Sequence, residues 1–319
     1  MKYALGIDTS CYTTSVAILD EHQQLVADCR RILKVKTGSR GLQQSDMVFQ
    51  HTRNLPALLA EACQNLTKPI RFKSIGVSAF PRPLPGSYMP AFLVGEGYAQ
   101  TLALSHDVPL YRISHQENHV FAGIWSAGGP QAVSFLAVHL SGGTTEIVKV
   151  SPNLNAPNSK KLALEILGGS QDIHAGQLVD RIGVALGLNF PAGPCLEALA
   201  ASARDRAVRI PVTVREASVS FSGPETYVHK LIAQGMDAAV IAAGVELCIA
   251  RAITSMIKYA VNHTGLIDVL FVGGVTANSF IRSYLLEHLE HSGTAKLYFP
   301  ASIYSPDNAL GAAYYGLTS

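Results

Sequence analysis

Two stretches about 130 residues apart share one pattern, and it narrows the fold more than any other feature of the chain. Residues 3–7 and 15–19 are apolar runs separated by Asp8-Thr-Ser-Cys-Tyr-Thr-Thr14, and residues 25–30 follow a polar turn, which predicts a β-meander. Residues 132–140 are again strongly apolar and lead through Ser141-Gly-Gly-Thr-Thr-Glu146 into a second strand ending near Val150. Strand, small-residue turn, strand, written twice, points to a duplicated α/β core with a ligand between its halves. Each turn can offer backbone N–H groups and hydroxyls to a phosphate or a metal–nucleotide. A plain Ser/Thr-rich or Gly-rich hairpin has the same composition, so the pattern alone leaves both roles open.

The other segments fit such a core. Residues 45–63 read as a helix with His51 near its middle, 74–80 as a buried strand, 88–104 as a helix and 109–113 as a strand. That order suggests a parallel crossover. Residues 161–167 form a further strand, followed by a helix from about His174 that carries Gly176, Gln177, Asp180 and Arg181. Residues 204–215 are the most basic local patch and are expected as a surface loop, and Ser218–Gly223 precedes a helix with Pro224 in its first turn. Residues 267–272 are a buried strand running into Gly273-Gly-Val-Thr-Ala-Asn278 and a helix to about Glu290. A glycine pair between a strand's C-terminal end and a helix is where open α/β sheets bind nucleotides. Residues 296–300 give the last strand, and Asp307 opens the final helix.

With 319 residues, 48% of them hydrophobic and 15% charged, the chain can build one large or two medium cores. A net charge of +2 argues against a protein that holds RNA unaided. Five scattered cysteines without a Cys-x-x-Cys are expected to be reduced and mostly buried. Residues 236–261 are the most apolar long segment, but Glu246, Arg251 and Lys258 interrupt it, so a buried helix is expected rather than a membrane span. The opening residues enter a strand without a signal-peptide h-region, and the expectation is a cytoplasmic protein with no membrane association.

The most chemically suggestive stretch is Ser114-His-Gln-Glu-Asn-His119. His115 and His119 stand a little over one helical turn apart, on one face, with Ser114 as N-cap. Two such imidazoles can share a divalent transition metal if a distant third ligand completes the site. The same spacing also arises by chance on ordinary helices. Glu117 lies roughly 200° around the helix from His115 at ~100° per residue, so it does not reproduce the His-Glu-x-x-His of zinc proteases.

Five ordered blocks resemble the tRNA threonylcarbamoyladenosine transferases, also called the O-sialoglycoprotein endopeptidase or glycoprotease family. They are Gly6-Ile-Asp-Thr-Ser-Cys11, Ser114–His119, Leu140-Ser-Gly-Gly-Thr-Thr145, Val272–Asn278 and Ser305-Pro-Asp-Asn-Ala309; residues 167–194 follow the family pattern as well. The resemblance implies an actin/hexokinase/Hsp70-like fold of two ribonuclease-H-like lobes, 1–130 and 131–319. The closing helix near 307–319 would pack back on the first lobe, with nucleotide and metal in the interlobe cleft. It also implies that Asp307 joins His115 and His119 around iron or zinc, with magnesium an alternative, and that Asp8 and Ser10 lie near the site. Ser141, Gly142, Gly143, Asp180, Gly193, Gly273, Gly274 and Asn278 would hold an adenine nucleotide, ATP, AMP or threonylcarbamoyl adenylate. The implied reaction moves threonylcarbamoyl from its adenylate to the adenine beside the tRNA anticodon; no residue of the sequence stands out as the base that takes the amine proton. Expected partners are tRNA and a paralogous subunit or a second copy of the chain.

The chain departs from the family at several positions. Tyr12-Thr13 replaces Asp-Glu, Thr144 replaces the histidine of Ser-Gly-Gly-His-Thr, and Gln177 and Arg181 replace Glu and Lys. Three lost carboxylates should alter ligand preference. The departures fit a diverged paralogue, either another carbamoyl transferase or a non-catalytic nucleotide-binding partner subunit. A sugar kinase on the same fold is disfavoured by the persisting metal triad, and a metalloprotease by the placement of Glu117.

Overall fold

In the computed structural model, which describes residues 2–35, 42–64, 66, 68–153 and 161–319, the predicted meander begins a five-stranded sheet. Strands β1 (Tyr3–Asp8), β2 (Thr13–Asp20) and β3 (Leu25–Ile32) are antiparallel. After helix α1 (Gln44–Cys63), β4 (Phe72–Phe80) joins the other edge of β1 in parallel. Helix α2 (Pro90–His106) then leads to β5 (Leu110–Ser114), which is parallel to β4. The order is β3-β2-β1-β4-β5. Every residue of β1 is buried, as a central strand covered on both faces requires. Leu5, Ile7, Val16 and Ile18 pack with Leu55 and Leu58 of α1 and with Ile75 and Val77.

Helix α3 (His115–Ala127) starts where β5 ends. The last segment of the chain, Pro306–Ser319, belongs to the same compact unit as Met1–Gly128 and Pro152–Ala163. Its helix, α9 (Leu310–Thr318), packs on β1, β4 and α3. The approach is backbone on backbone. A Cβ on Gly76 would overlap the carbonyl of Ala312, and one on Gly311 would overlap the carbonyl of Asn118.

The second unit, Gly129–Ser151 with Leu164–Ser305, repeats the plan. Strands β6 (Phe135–Leu140) and β7 (Thr145–Pro152) form the second hairpin, and β8 (Leu162–Gly169) flanks it. Helices α4 (Ala175–Ala185) and α5 (Gly193–Ala200) follow, then a small hairpin of β9 (Thr213–Arg215) and β10 (Ser218–Ser220). Helices α6 (Ser222–Ala233) and α7 (Ala238–Thr264) lead to β11 (Asp268–Val272), α8 (Ser279–Leu285) and β12 (Lys296–Tyr298). β11 lies parallel to β6 and β12 parallel to β11, giving the order β12-β11-β6-β7-β8. Counted within each sheet, the strand order is third-second-first-fourth-fifth both times.

Helix α7 is long and apolar enough to cross a membrane, yet 78% of its most apolar window is buried inside the protein, so it is a core helix as expected. Several expectations need correction. Of the five cysteines only Cys248 is buried; Cys11, Cys29 and Cys63 are half-buried and Cys195 is exposed. The 204–215 stretch is not a plain loop, since residues 201–206 form a 3₁₀ turn and 213–215 are β9. β12 stops at Tyr298, short of Pro300, which has no N–H for the ladder. The final helix begins at Leu310, leaving Asp307 in the connection before it.

The glycine contacts set a stability test. Gly76→Val is expected to destabilise the protein by about 3 kcal/mol, because β4 or α9 must shift to clear the new side chain. Urea unfolding of the purified variant checks this, and an unchanged midpoint would show that α9 is not seated on β4.

Candidate functional site

In the first unit, β5 delivers the chain directly into α3. Ser114 adopts an extended conformation and caps the helix: its Oγ accepts from the Glu117 N–H at 3.1 Å, and the Glu117 carboxylate accepts from the Ser114 N–H at 2.8 Å and its hydroxyl at 2.7 Å. This capping box consumes Glu117 and sets the first turn of the helix, which carries both histidines on one side.

His115 Nε2 and His119 Nε2 are 3.1 Å apart, and Asp307 Oδ1 lies 3.5 Å from the first and 3.4 Å from the second. Three Lewis-basic atoms from the middle and the end of the chain therefore converge. The edges of a tetrahedral shell with zinc–nitrogen and zinc–oxygen bonds of ~2.0–2.1 Å are about 3.3–3.4 Å, so the donors fit a divalent transition metal. The other face of His115 supports the same assignment. Its Nδ1 faces Oδ2 of the fully buried Asp8 at 3.5 Å, the carboxylate–imidazole pairing that orients a ligating histidine and leaves Nε2 free for a metal. Burial alone would lower the His115 pKa, but Asp8 and Asp307, with Cys11 alongside, hold it well above the usual histidine value. Burial would raise Asp307, yet the two imidazoles keep it well below the usual carboxylate range.

Asn118, between the two histidines and 1% exposed, joins these pieces. Its amide donates to the Asn308 carbonyl at 2.6 Å and to Asp8 Oδ2 at 3.4 Å, and its Oδ1 accepts from the Ala312 N–H at 2.8 Å. Ser10 is fully buried, and its N–H donates to Asp8 Oδ1 at 3.0 Å, which fixes the turn after β1.

In the second unit, the C-terminal ends of parallel β6 and β11 converge, with Val272 opposite His139. The Ser141–Thr144 turn is closed by the Ser141 N–H on the Thr144 carbonyl at 2.8 Å and by the Gly143 N–H on Ser141 Oγ at 3.3 Å. Gly142 and Gly143 have open space where side chains would be. The start of α4 sits on this turn: the Gly176 N–H donates to the Ser141 carbonyl at 3.1 Å and the Ala175 N–H to Thr145 Oγ1 at 2.8 Å. Gly273, with φ of 95°, rests against the Leu140 carbonyl, a position that excludes any Cβ, and Gly274 beside it has open space. The structure thus brings Ser141, Gly142, Gly143, Gly273 and Gly274 together.

Asp180 contacts the residue that precedes Gly193. Asp180 Oδ1 accepts from the Ala192 N–H at 2.8 Å and so fixes the residue before Gly193, and burial raises its pKa. The Asn278 side chain is already committed. Its Oδ1 accepts from the Ile281 N–H at 2.9 Å as the α8 cap, and its amide donates to Glu246 at 2.6 Å. A nucleotide at this position would meet the Asn278 backbone and not its side chain.

Asn118, Glu246 and Asp172 were not singled out in the sequence. Asp172 holds Ser220, Phe221 and Ser222 through four hydrogen bonds of 2.6–3.3 Å. Only the capping box had a readable signal, Ser114-x-x-Glu117. The other contacts link residues distant in sequence, and a single sequence does not encode them visibly.

Two tests follow. Asn118→Ala keeps every candidate metal donor but unties Asp8, Asn308 and α9, so zinc affinity should fall about 10–100-fold by isothermal titration. Glu246 is 1% exposed, and burial pushes its carboxyl up to about 7 against the Asn278 hydrogen bond and the Arg204 charge. A carboxyl whose folded pKa lies above its unfolded value adds stability below the unfolded pKa, and that contribution disappears as pH rises through about 7. Glu246→Gln should therefore flatten the stability change between pH 5 and pH 8.5 by about 2–3 kcal/mol, read from urea unfolding across that range.

Comparison with known proteins bears on the family and the fold. A model of the TsaD family, described as tRNA N6-adenosine threonylcarbamoyltransferase, matches residues 41–314. The protein of that name from Aromatoleum aromaticum is 30% identical over 321 residues, covering 98% of this chain and 90% of that protein. Among solved structures, component A of (R)-2-hydroxyglutaryl-CoA dehydratase from Acidaminococcus fermentans superposes with a TM-score of 0.57 at 18% identity, covering 100% and 98% of the two chains. A ROK-family glucokinase from Streptomyces griseus gives 0.55 at 11% identity, covering 99% and 100%. These likenesses establish the actin/hexokinase/Hsp70-type fold. With the family model spanning most of the sequence, the chain belongs to the tRNA N6-adenosine threonylcarbamoyltransferase family.

Proposed function

We propose that this protein transfers a threonylcarbamoyl group from its adenylate to the adenine beside the anticodon of tRNA, in the cytoplasm and with a partner subunit or second copy assisting. The observation that carries this reading is the convergence of His115, His119 and Asp307 within 3.1–3.5 Å in a chain of this family. These residues would hold one divalent ion, and two imidazoles favour iron or zinc over magnesium. Such an ion supplies Lewis acidity toward the carbamoyl oxygen and a template for the threonyl group.

The chain's own residues do the rest. Asp8 and Asn118 keep the imidazoles and Asp307 oriented, so the donor set needs little rearrangement to act. In the second unit, the Ser141–Gly143 turn and Gly273–Gly274 offer backbone to the phosphate and sugar of the adenylate, and Asp180 orders the chain at Gly193 for the same ligand. The proposed lobes are residues 1–130, with the closing 307–319 segment, and residues 131–319. The glycoprotease alternative is disfavoured because the Glu117 carboxylate is spent on capping α3.

A second reading, a paralogue serving another carbamoyl acceptor or supporting an assembly without catalysis, draws on the departures at Tyr12, Thr13, Thr144 and Gln177. One experiment separates the two. Labelled threonylcarbamoyl adenylate and unmodified tRNA are incubated with the protein and the partner proteins of its own cell, beside a working transferase of this family. Incorporation that is lost on chelation and falls at least 100-fold in His119→Ala supports the transferase. No incorporation beside the working control favours the paralogue. Metal analysis of His115→Ala and Asp307→Ala should show loss of the bound ion with folding unchanged by circular dichroism.

A further inference from the structure

The turn after β1 carries a fourth candidate donor. Cys11 Sγ and one ligand atom each of His115 and Asp307 all lie within 4.8 Å of one another. The backbone of this turn is held on several sides, so the position of the cysteine is built in. The Ser10 N–H is fixed on Asp8, the Tyr12 carbonyl accepts from the Leu33 N–H at 2.8 Å, and the Cys11 carbonyl accepts from Nε2 of the buried His51 at 3.2 Å. His51 is itself seated by Thr14, whose Oγ1 lies 2.9 Å from Nδ1. With Nε2 as donor to a carbonyl, the neutral ring presents Nδ1 as acceptor for the Thr14 hydroxyl, and both contacts are satisfied together.

We propose that Cys11 is a further donor to the ion held by His115, His119 and Asp307, and that its sulfur makes the site selective for thiophilic divalent metals. The inference rests on the metal reading given above. Cys11 binds as the thiolate, and its proton leaves to solvent as the metal enters. A shell of two imidazoles, one carboxylate and one thiolate suits zinc, ferrous iron or cobalt, and it is a poor match for magnesium, which takes oxygen ligands. Zinc can widen from four to five donors, so a thiolate in the shell still leaves a way for a substrate oxygen to reach the ion.

Cobalt(II) tests this directly, because a thiolate ligand adds a sulfur-to-cobalt charge-transfer band that imidazole and carboxylate ligands do not give. The apo protein is loaded with one equivalent of cobalt as wild type, Cys11→Ser, His119→Ala and Cys195→Ser, the last replacing the exposed cysteine. The wild type and Cys195→Ser are expected to show the band. Cys11→Ser should still bind cobalt but lose the band, and its zinc affinity should fall about tenfold or more. X-ray absorption of the zinc-loaded wild type, which depends on no variant, should show a sulfur neighbour at ~2.3 Å. Cobalt bound without the band, or a band unchanged in Cys11→Ser, overturns the role of Cys11 and leaves the three-residue site standing. Failure of the wild type to bind cobalt or zinc overturns the metal reading itself, and the inference with it.

Discussion

The buried amide of Asn118 is the interaction on which the chemistry of the first unit depends. Its side chain bonds Asp8 at the end of β1, Asn308 just after Asp307, and Ala312 inside α9. The donors it organises come from residues 115–119 and 307, nearly 190 positions apart. An amide removed from water without partners would cost several kcal/mol, so the arrangement is stable only when all three segments are in register. Close seating of α9 on Gly76 and on the backbone of Asn118 then leaves Asp307 little choice of position. Fold and donor geometry are one constraint here: the contact that docks the last helix also places Asp307 beside the two imidazoles.

The second unit uses the same strand order for a different purpose. In each sheet the first strand ends in a turn rich in small residues. After β1 that turn holds side chains, Asp8, Ser10 and Cys11; after β6 it holds almost none, Ser141-Gly-Gly. A metal needs side-chain donors at fixed distances, whereas a phosphate is held well by backbone N–H groups brought close. One topology, repeated with opposite choices of residue at the equivalent turn, thus offers side-chain donors in one unit and bare backbone in the other. The supports differ accordingly. In the first unit the pieces are tied by side-chain amides, and in the second by glycines that let α4 and β11 press against the turn, with Glu246 bracing Asn278 from the core helix.

Much of this was legible in the sequence because it is periodic or local. The two hairpins, the buried strands and the start of α3 at Ser114 follow from alternation, apolar runs and cap chemistry. The duplication itself could be read from two matching turns. What the sequence hid has a common character. Asn118 looks like any polar residue in a helix, and Glu246 looks like an interruption of an apolar segment. Their roles exist only once distant segments meet. The boundaries that shifted did so for backbone reasons, as at Pro300, or because a connection and not a helix was needed to turn Asp307 toward the histidines.

The departures from the family pattern look different once their contacts are known. Gln177 supplies the capping oxygen for the His174 N–H at 3.1 Å, a task glutamine and glutamate perform alike. Thr144 closes its turn, and Tyr12 receives Leu33, through backbone carbonyls that any residue would provide. Thr13 pairs with Ile32 in the β2–β3 ladder, again through the backbone. Arg181 keeps a positive charge and pairs with Glu225 at 3.3 Å. At Tyr12, Thr13, Thr144 and Gln177 the structural task falls to an atom that both residue types share, so the architecture tolerates the change. What changes is charge, because three carboxylates are replaced by neutral side chains. Asp8 and Asp307 remain as the carboxylates beside the imidazoles. The departures therefore alter side-chain charge and leave the backbone contacts of these turns as they are.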